Sequence, residues 1–508
     1  MNKGATPMFE KLLYHNQFVM GPFFLEEFAS WKRVKIHNSL HVMSHPNLNT
    51  VQAISENKSI TLLGFILDPN NPHATDSDII NELIHKLFCC DTFIEHTFRF
   101  GGRWILIVND GKTIRLFHDA CGLRQVFYTD TVHTKDLWCA SQPRIIAEIL
   151  RLQFDPDAVD FINSYEFRND QNFKFPCESS PYKEIKHLLP NHYLDLLTGQ
   201  PKRYWPNKEL DELPLNEAIE KISVSLKSLM KSASYRFDLA LGLTSGWDSR
   251  LLLAASKEIS DKISYITVRK VNMLDDHADV QIPSILLSNL KLKHDVVKSS
   301  YIISDEFIQA FKKNTSLAHD VYAPDAYAIL KYSGQKKVAV TGGVSEAGRR
   351  SVRDMYCKPK KEKITAQDLS KIESMGNSQF AINNFEKWLL GLGDIHNVDT
   401  LTLFGWEQEH GTWHASSQLE FNIGWKDIFT PFNCRDILIN MLSVKEKYRK
   451  SPKYLLYKKL ILKLWPEVLS VPINPHKKKR FNSLIKSYII KQLALHIPAS
   501  FKSRLKRY

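Results

Sequence analysis

The sequence predicts an α/β protein in two parts, an antiparallel part followed by a doubly wound parallel sheet. Three observations predict this. Short β-rich segments bounded by turn residues fill the chain up to about residue 205. From about residue 215, strand-like and helix-like segments alternate, as they do in parallel sheets with crossover helices. Between the two parts lies PNKELDELP (206–214), with two prolines and four charges, which is typical of a linker.

The first part, residues 1–205, is expected to form two antiparallel sheets with a few helices. One segment, DSDIINELIHKLF (76–88), has apolar residues spaced near 3.6 and predicts a helix. The predicted strands are SITLLGFIL (59–67), RWILIV (103–108), TIRLFHD (113–119), QVFYTD (125–130) and LWCAS (137–141).

The second part, residues 215–508, is expected to bind its ligand at the carboxyl ends of parallel strands, where open α/β sheets place their sites. The predicted strands are 237–246, 263–268, 294–299 and 337–343. The predicted helices are 216–233, 249–259 and 280–290, and from about residue 365 onward the chain is expected to be mostly helical.

Composition excludes several classes of protein. Of 508 residues, 43% are hydrophobic and 24% charged, so collagen, extensive disorder and a disulfide scaffold are excluded. No apolar run is long enough to insert into a membrane, and the N-terminal residues do not resemble a secretory signal. Seven cysteines without a CxxC pair predict a reduced, cytoplasmic protein without structural zinc.

The positive charge is concentrated at the C-terminus. Residues 441–508 carry 18 Lys and Arg against two acids, a net +16, whereas the whole chain carries +13. The first 440 residues are therefore slightly acidic, which argues against a uniformly basic nucleic-acid-binding protein. The alternatives for this basic tail are a solvated helical face, contact with an anionic surface, or the wall of a phosphate-binding pocket.

The segment with the most chemical content is LTSGWDSR (243–250), between a buried strand and a helix. Ser245 and Gly246 permit a tight turn with free backbone N–H groups, at which the helix N-terminus also points. The Thr244 and Ser249 hydroxyls are candidate donors to phosphate oxygens, and Asp248 is a candidate Mg²⁺ ligand. The loop is neither a Walker A loop nor a GxGxxG fingerprint, and a small-residue turn of this kind, taken alone, is usually a simple connector.

TSGWDS (244–249) resembles the SGGxDS pyrophosphate loop of the ATP pyrophosphatase (PP-loop) group, to which asparagine synthetase belongs. VAVTGGVSEAG (338–348) resembles that family's second loop, GEGSDE, through Gly342, Ser345 and Glu346, although Gly343 replaces a usual Glu. The resemblance implies that backbone near Val268 holds the adenine. WPEVLSVPINPHKKKRFNS (465–483) resembles the family's C-terminal segment, a Pro followed by KxxF, which implies that Lys478 is the catalytic lysine.

The first part resembles class II glutamine amidotransferase domains, which implies an αββα sandwich of Ntn-hydrolase type. FHDACGLRQVFYT (117–129) is similar to their DxxGxRPLYY strand, and HLLPNHYLDLLTGQPKRYW (187–205) to the stretch that ends the domain. The family's nucleophile is an N-terminal Cys, but residue 2 is Asn2, and the NGEIYN stretch is replaced by GFILDPNN (64–71). We therefore expect an inactive glutaminase. Cys121 and Cys139 are interpreted as structural.

The resemblance implies an ATP-dependent ligase that adenylates a carboxylate, releases pyrophosphate, and then forms an amide with ammonia or an amine. Residues 244–249 would grip pyrophosphate, and Asp248 and Glu346 would hold Mg²⁺. Lys478 would stabilise developing charge. The acid substrate is left open as a small carboxylate-bearing molecule, a sugar acid or a peptide. Arg349 and Arg350 are interpreted either as contacts to an anionic substrate or as surface residues, and His294 as structural.

Two other functions are consistent with the sequence. One is a non-catalytic relative of asparagine synthetase that binds a nucleotide or a partner, which the altered loops favour. The other is a PP-loop enzyme that modifies nucleic acid, which the basic tail favours and the amidotransferase-like first part does not.

Overall fold

The structure is a computed structural model, and it describes residues 8–169, 173–349 and 363–475. The strands are β1 Phe18–Gly21, β2 Lys32–His37, β3 Leu40–Ser44, β4 Thr50–Ser55, β5 Lys58–Leu67, β6 Gly101–Asn109, β7 Ile114–His118, β8 Phe127–Thr129, β9 Cys139–Ala140, β10 Ile185–His187, β11 His192–Asp195, β12 Gln200–Arg203, β13 Leu239–Gly242, β14 Ile263–Arg269, β15 His294–Lys298, β16 Val338–Val340 and β17 Asp427–Phe429.

The α-helices are α1 Met8–Leu12, α2 Asp76–Ile84, α3 Cys90–Phe93, α4 Pro143–Leu150, α5 Pro156–Asn163, α6 Tyr165–Asn169, α7 Leu215–Arg236, α8 Trp247–Ala255, α9 Ala278–Asn289, α10 Asp305–Asn314, α11 Ala323–Ser333, α12 Ala366–Ile372, α13 Gln379–Leu390, α14 Thr400–Phe404, α15 Ala415–Phe421, α16 Arg435–Leu442, α17 Glu446–Arg449 and α18 Leu455–Leu464. A π-helix spans Gly405–His414. Short 3₁₀ segments are Glu26–Phe28, Ile94–Thr97, Lys257–Ile259, Asp320–Tyr322, Ser345–Gly348 and Pro466–Ser470.

The first part of the chain forms two six-stranded antiparallel sheets that face each other. The strand order is β10-β8-β9-β1-β3-β2 in one sheet and β12-β11-β7-β6-β5-β4 in the other. Their inner faces share one buried apolar cluster, to which Phe18 and Val42 contribute from the first sheet and Leu63 and Ile105 from the second. The two sheets pack together because each directs apolar side chains inward to this shared cluster.

Each antiparallel sheet is covered on its outer face by a helix. Ile79 and Leu83 of α2 pack with Leu62 and Leu106 of the second sheet. On the other side, Ile145 of α4 belongs to a cluster with strands of the first sheet. Helix α2 starts at a capping box, in which the Thr75 side chain accepts from the Asp78 N–H and the Asp78 side chain accepts from the Thr75 N–H. The layers are therefore α, β, β and α.

The second part contains a five-stranded sheet in the order β15-β14-β13-β16-β17, and every neighbouring pair is parallel. Leu241 packs with apolar residues of α7 and α8 on one face of this sheet, whereas Ala240 packs with Ile329 of α11 on the other. Helices thus cover both faces. The chain runs outward from β13 to β15 and then returns to the other side of β13 with β16, which makes the sheet doubly wound.

The predicted fold class, including the αββα sandwich and the doubly wound parallel sheet, is confirmed. Several details differ. The expected helix 249–259 begins earlier, at Trp247, and ends at Ala255. Strands β1 to β4 were not predicted, and neither was β17, a three-residue strand within the region expected to be helical. The linker boundaries and the two-domain division remain predictions.

Among the residues that the structure describes, no helix combines the length and the apolar character that a membrane crossing requires.

Cys121 and Cys139 are fully buried, and burial raises the pKa of both thiols.

Candidate nucleotide site

The candidate site lies where the strand order of the parallel sheet reverses, between β13 and β16. The chain leaves β13 through the first loop, residues 243–246, and leaves β16 through the second loop, residues 341–344. Because β13 and β16 are adjacent and parallel, both loops emerge from the same edge of the sheet. Open α/β sheets bind their ligands in the crevice at this position.

The first loop is held by its own side chains. The Thr244 N–H donates to Ser249 Oγ at 3.2 Å, and the Gly246 N–H donates to Thr244 Oγ1 at 3.2 Å. Asp279 Oδ1 accepts from both the N–H and the hydroxyl of Ser245, at 2.9 and 2.6 Å. The expectation of free backbone N–H groups at Ser245 and Gly246 is therefore wrong, because the side chains of Asp279 and Thr244 already accept from them.

The N-terminus of α8 is the part of this segment without a side-chain cap. Gly246 is its N-cap residue and has no side chain to accept from the first-turn amides. The positive end of the helix dipole is therefore open at the carboxyl edge of the sheet. Thr244 is exposed beside it, whereas Ser245 and Ser249 are buried.

The second loop approaches this helix closely at Gly342. A Cβ added at Gly342 would lie 2.7 Å from Cβ and 2.9 Å from the carbonyl carbon of Asp248. Only glycine fits, because backbone atoms cannot move aside as a flexible side chain can. The next turn is strained, since buried Val344 has a φ of 59°. A β-branched residue in this region costs about 1–3 kcal/mol, and such strain is common in functional loops.

Asp248 points from α8 into the gap between the two loops. Its carboxylate accepts from the Ser345 hydroxyl and, at 3.1 Å, from Nη2 of Arg349. Burial raises the pKa of Asp248 to about 6, and the nearby Glu346 carboxylate acts in the same direction, while Arg349 opposes both. Asp248 lies in the first turn of α8 and is not its cap, because Gly246 is the N-cap residue.

Glu346 and Arg349 complete this cluster. Nη2 of Arg349 also donates to Glu346 Oε1 at 2.6 Å, so one nitrogen contacts both carboxylates that the sequence predicts as metal ligands. The guanidinium lies 5.6 Å from the ring centre of Tyr454 and 5.4 Å from that of Tyr457. Tyr457 in turn donates to the Ser345 carbonyl at 3.1 Å. Arg349 was predicted either to contact an anionic substrate or to lie at the surface. The surface position is wrong, because only 12% of its side chain is exposed.

A segment near the C-terminus reaches the same place. Buried Arg250 donates to the carbonyls of Val468, Val471 and Pro472, at 2.9, 3.0 and 3.2 Å. Two residues further on, the Asn474 N–H donates to the Ser245 carbonyl at 3.0 Å. Lys478 and the rest of the basic tail from residue 476 lie outside the described residues, as does Arg350.

Val268 lies near the end of β14, on the side of β13 away from the second loop. Its neighbour Thr267 ties β14 to the first loop through a hydrogen bond of 2.9 Å to the Leu243 carbonyl. His294 contacts Thr267 Oγ1 and Ser284 Oγ, both at 2.9 Å. Val268 thus follows directly after Thr267, which contacts the first loop. It does not belong to the cluster around Asp248.

Sequence reasoning missed a histidine pair on the π-helix beside the second loop. His410 Nδ1 and His414 Nδ1 are 2.8 Å apart, and His414 faces Gly343. Burial lowers the pKa of His414 to about 4, so the ring is neutral near pH 7. The i, i+4 spacing of the two histidines was a visible signal that they share a face. Within the described ranges, no group of three or more metal-ligating side chains is arranged to hold a metal ion.

Fold and site together define a protein with a doubly wound sheet. At its switch point, where the strand order reverses between β13 and β16, lie a small-residue loop, a helix N-terminus and two carboxylates.

No family model matches the chain, and no curated protein matches it either. Solved structures with some likeness include a glutamine-dependent NAD⁺ synthetase from Acinetobacter baumannii in complex with ADP. That match has 15% identity over 36% of this chain and 34% of the other, with a TM-score of 0.20.

A second is the NH₃-dependent NAD synthetase from Campylobacter jejuni, with 15% identity over 29% of this chain and 62% of the other, and a TM-score of 0.19. A third is the glutamine phosphoribosylpyrophosphate amidotransferase from B. subtilis complexed with ADP and GMP. It has 11% identity over 68% of this chain and 73% of the other, and a TM-score of 0.24. This chain spans about a third of the length of the first of these proteins.

Proposed function

We propose that the protein is an ATP-dependent, AMP-forming carbon–nitrogen ligase of the asparagine synthetase type, without glutaminase activity of its own. The observation that carries this proposal is the convergence of two loops at the switch point, where Asp248 and Glu346 contact the same cationic nitrogen. Two carboxylates that share one cation suit a nucleotide-bound divalent metal as well as a guanidinium. The substrates are ATP, a carboxylic acid, and ammonia or an amine.

The first loop would bind the pyrophosphate end of ATP. The uncapped N-terminus of α8 offers backbone N–H groups and a partial positive charge to a phosphate. The hydroxyls of Thr244 and Ser249 lie 3.2 Å apart and would exchange this contact for phosphate oxygens. Ser245 would line the same cradle while Asp279 anchors its hydroxyl. The Ser345 hydroxyl and Gly342, which lets the second loop approach, would complete the cradle.

Asp248 and Glu346 would hold Mg²⁺, whose role when bound is to neutralise charge on the phosphates. The oxygen donors fit this ion, since Mg²⁺ is usually bound through one or two carboxylates and substrate phosphates. The adenine would lie against the backbone near Val268, on the neighbouring strand. Asn474, bonded to the first loop, precedes Lys478 by four residues, which supports a role for Lys478 in stabilising developing charge.

In the reaction, a carboxylate oxygen of the acid attacks the α-phosphorus of ATP, and the bond to pyrophosphate breaks. The acyl-adenylate is then attacked at its acyl carbon by ammonia or an amine, which loses a proton, and AMP leaves. The loop and the helix N-terminus stabilise the charge that develops on pyrophosphate, and preorganised groups of this kind usually supply the largest part of catalysis. The basic C-terminal tail is proposed to contact anionic groups.

The test is pyrophosphate release from ATP and Mg²⁺ with a panel of carboxylic acids, comparing the wild type with Asp248→Ala. A matched control is Asp238→Ala, because Asp238 precedes the same strand β13 at the opposite edge of the sheet and its carboxylate pairs with Lys337. We expect release with at least one acid, loss in Asp248→Ala, and retention in the control. Equal release by the wild type and Asp248→Ala would overturn the proposal.

A second candidate is a non-catalytic relative that binds a nucleotide. It is favoured by Gly343, which stands in the second loop with no carboxylate and faces His414 instead. Nucleotide binding without pyrophosphate release for any acid would establish this alternative. A steep salt dependence of RNA binding would instead support a nucleic-acid-modifying enzyme.

A further inference from the structure

Arg349 is anchored between the two candidate metal ligands. Its Nη2 atom contacts Asp248 Oδ2 at 3.1 Å and Glu346 Oε1 at 2.6 Å. Only 12% of the side chain is exposed, and the rings of Tyr454 and Tyr457 lie against the guanidinium. Arg349 therefore already supplies the positive charge that two neighbouring carboxylates need.

A guanidinium and a divalent cation cannot both neutralise this pair from the same side. Asp248 Oδ2 and Glu346 Oε1 converge on a single nitrogen, so an ion that binds both of these oxygens must take the place of that nitrogen. Nε of Arg349 is buried and has no hydrogen-bond partner among the described residues. A guanidinium with an unused donor is suited to donate to a further anion, and phosphate, like carboxylate, matches the several N–H groups of arginine.

We propose that Arg349 is an internal counter-ion that competes with the divalent cation for Asp248 and Glu346 and passes to the phosphates of the nucleotide when the metal enters. This inference rests on the proposed function, because it assigns a regulatory role to a residue of that site. Its consequence is an order of binding. The metal alone binds weakly, and the nucleotide and the metal favour each other because the nucleotide draws Arg349 away from the carboxylates.

The test measures Mn²⁺ binding to the full chain by electron paramagnetic resonance, first without nucleotide. We compare the wild type with Arg349→Met, which keeps an apolar stem beneath the tyrosines and removes the charge. Arg349→Lys keeps the charge and checks that the site still folds. We expect at least tenfold tighter Mn²⁺ binding in Arg349→Met, loss of this gain in Arg349→Met combined with Asp248→Asn, and little change in Arg349→Lys. Lys337→Met is the charge-matched control, since Lys337 lies at the other edge of the sheet.

The second measurement repeats the titration with a non-hydrolysable ATP analogue present. In the wild type the analogue should tighten Mn²⁺ binding, and in Arg349→Met this enhancement should fall by about the same factor by which metal binding alone improved. Unchanged Mn²⁺ affinity in Arg349→Met, or a gain that survives Asp248→Asn, would overturn the inference. These results do not depend on pyrophosphate release. Release that requires Asp248 together with unchanged Mn²⁺ binding in Arg349→Met would leave the ligase proposal standing and remove only the role of Arg349.

Discussion

Arg203 and Glu407 form a buried two-pronged ion pair that joins the antiparallel sandwich to the π-helix of the second part. Nη1 of Arg203 donates to Glu407 Oε1 and Nη2 donates to Oε2, the latter at 2.9 Å. The Glu407 side chain is fully buried and also accepts from Asn191 and Trp388, at 2.9 and 2.8 Å. Burial pushes the pKa of Glu407 upward, but Arg203, together with His192 and Asn191, brings it below its usual value.

Replacing Glu407 by Ala should destabilise the protein strongly. The change leaves the Arg203 charge buried without its counter-ion, which typically costs about 3–5 kcal/mol of unfolding free energy. Urea unfolding followed by tryptophan fluorescence measures the loss. Glu26→Ala is the control, because Glu26 pairs with Arg33 at 3.7 Å on the surface and 90% of its side chain is exposed. The control should shift the unfolding free energy by less than about 0.5 kcal/mol, and an equal loss in both variants would contradict the prediction.

Adding a methyl group at Gly342 should impair the site. The new Cβ would meet the Cβ and backbone of Asp248 within 3 Å, which forces α8 and the second loop apart. We expect Gly342→Ala to cost about 1–3 kcal/mol in stability and to weaken nucleotide binding, measured by calorimetry with an ATP analogue. Gly242→Ala is the matched control on the same sheet, since the nearest atom to its added Cβ would be 3.8 Å away. If both variants bind the ATP analogue equally well, the close approach of the second loop to α8 is not needed for nucleotide binding.

Removing the Asp279 carboxylate should loosen the first loop. Asp279→Ala takes away the acceptor for both the N–H and the hydroxyl of Ser245. Hydrogen bonds to a charged group contribute about 1.5–3 kcal/mol, so we expect the affinity for an ATP analogue to fall by about ten- to a hundredfold. Asp275→Ala is the control, as Asp275 lies just before the same helix and 74% of its side chain is exposed. An unchanged affinity in Asp279→Ala would mean that the loop is rigid without this contact.

The protein should lose stability in mild acid, and buried His15 should account for part of the loss. Burial lowers the pKa of His15 to about 4, so between pH 4 and 6.5 the unfolded chain binds a proton that the folded protein does not. The free energy of unfolding is therefore unaffected by this group above pH 6.5 and decreases as the pH falls below it. The decrease reaches about 2 kcal/mol at pH 5.

Thermal unfolding of His15→Gln from pH 7 to pH 5 measures this contribution. The variant is expected to be less stable at pH 7, because His15 contacts the Trp425 carbonyl and the Asn47 side chain, but to show a shallower decline with pH. His37→Gln, at an exposed histidine, should retain the full decline. Parallel pH curves for the wild type and His15→Gln would contradict the assignment.

Segments with a clear apolar pattern were predictable. The strand predicted at 59–67 is observed as Lys58–Leu67, and the helix predicted at 216–233 is observed as Leu215–Arg236. In both elements the apolar residues face a core. Strand Lys32–His37 was missed, because four of its six residues are polar and exposed and it lies at the edge of its sheet. The alternation of Val34 and Ile36 with polar neighbours was a weak signal for it, and both residues pack on the core between the sheets.

The sequence indicated candidate residues for the site but not the network of contacts that joins them. The loop pattern identified Asp248, Ser249 and Glu346. It gave no sign that Arg349, 101 residues after Asp248, bridges the two acids, or that Asn474 bonds to Ser245. These contacts depend on how the sheet brings distant loops together, and no local pattern encodes that arrangement.

The largest buried cluster draws on both parts of the chain, with Phe65 and Trp205 from the first and Leu241 and Phe429 from the second. A protein divided at the linker would expose this shared interior on both pieces, and neither piece would be expected to remain soluble alone. We therefore expect the first part to be required for the folding of the second, whether or not it performs any reaction of its own.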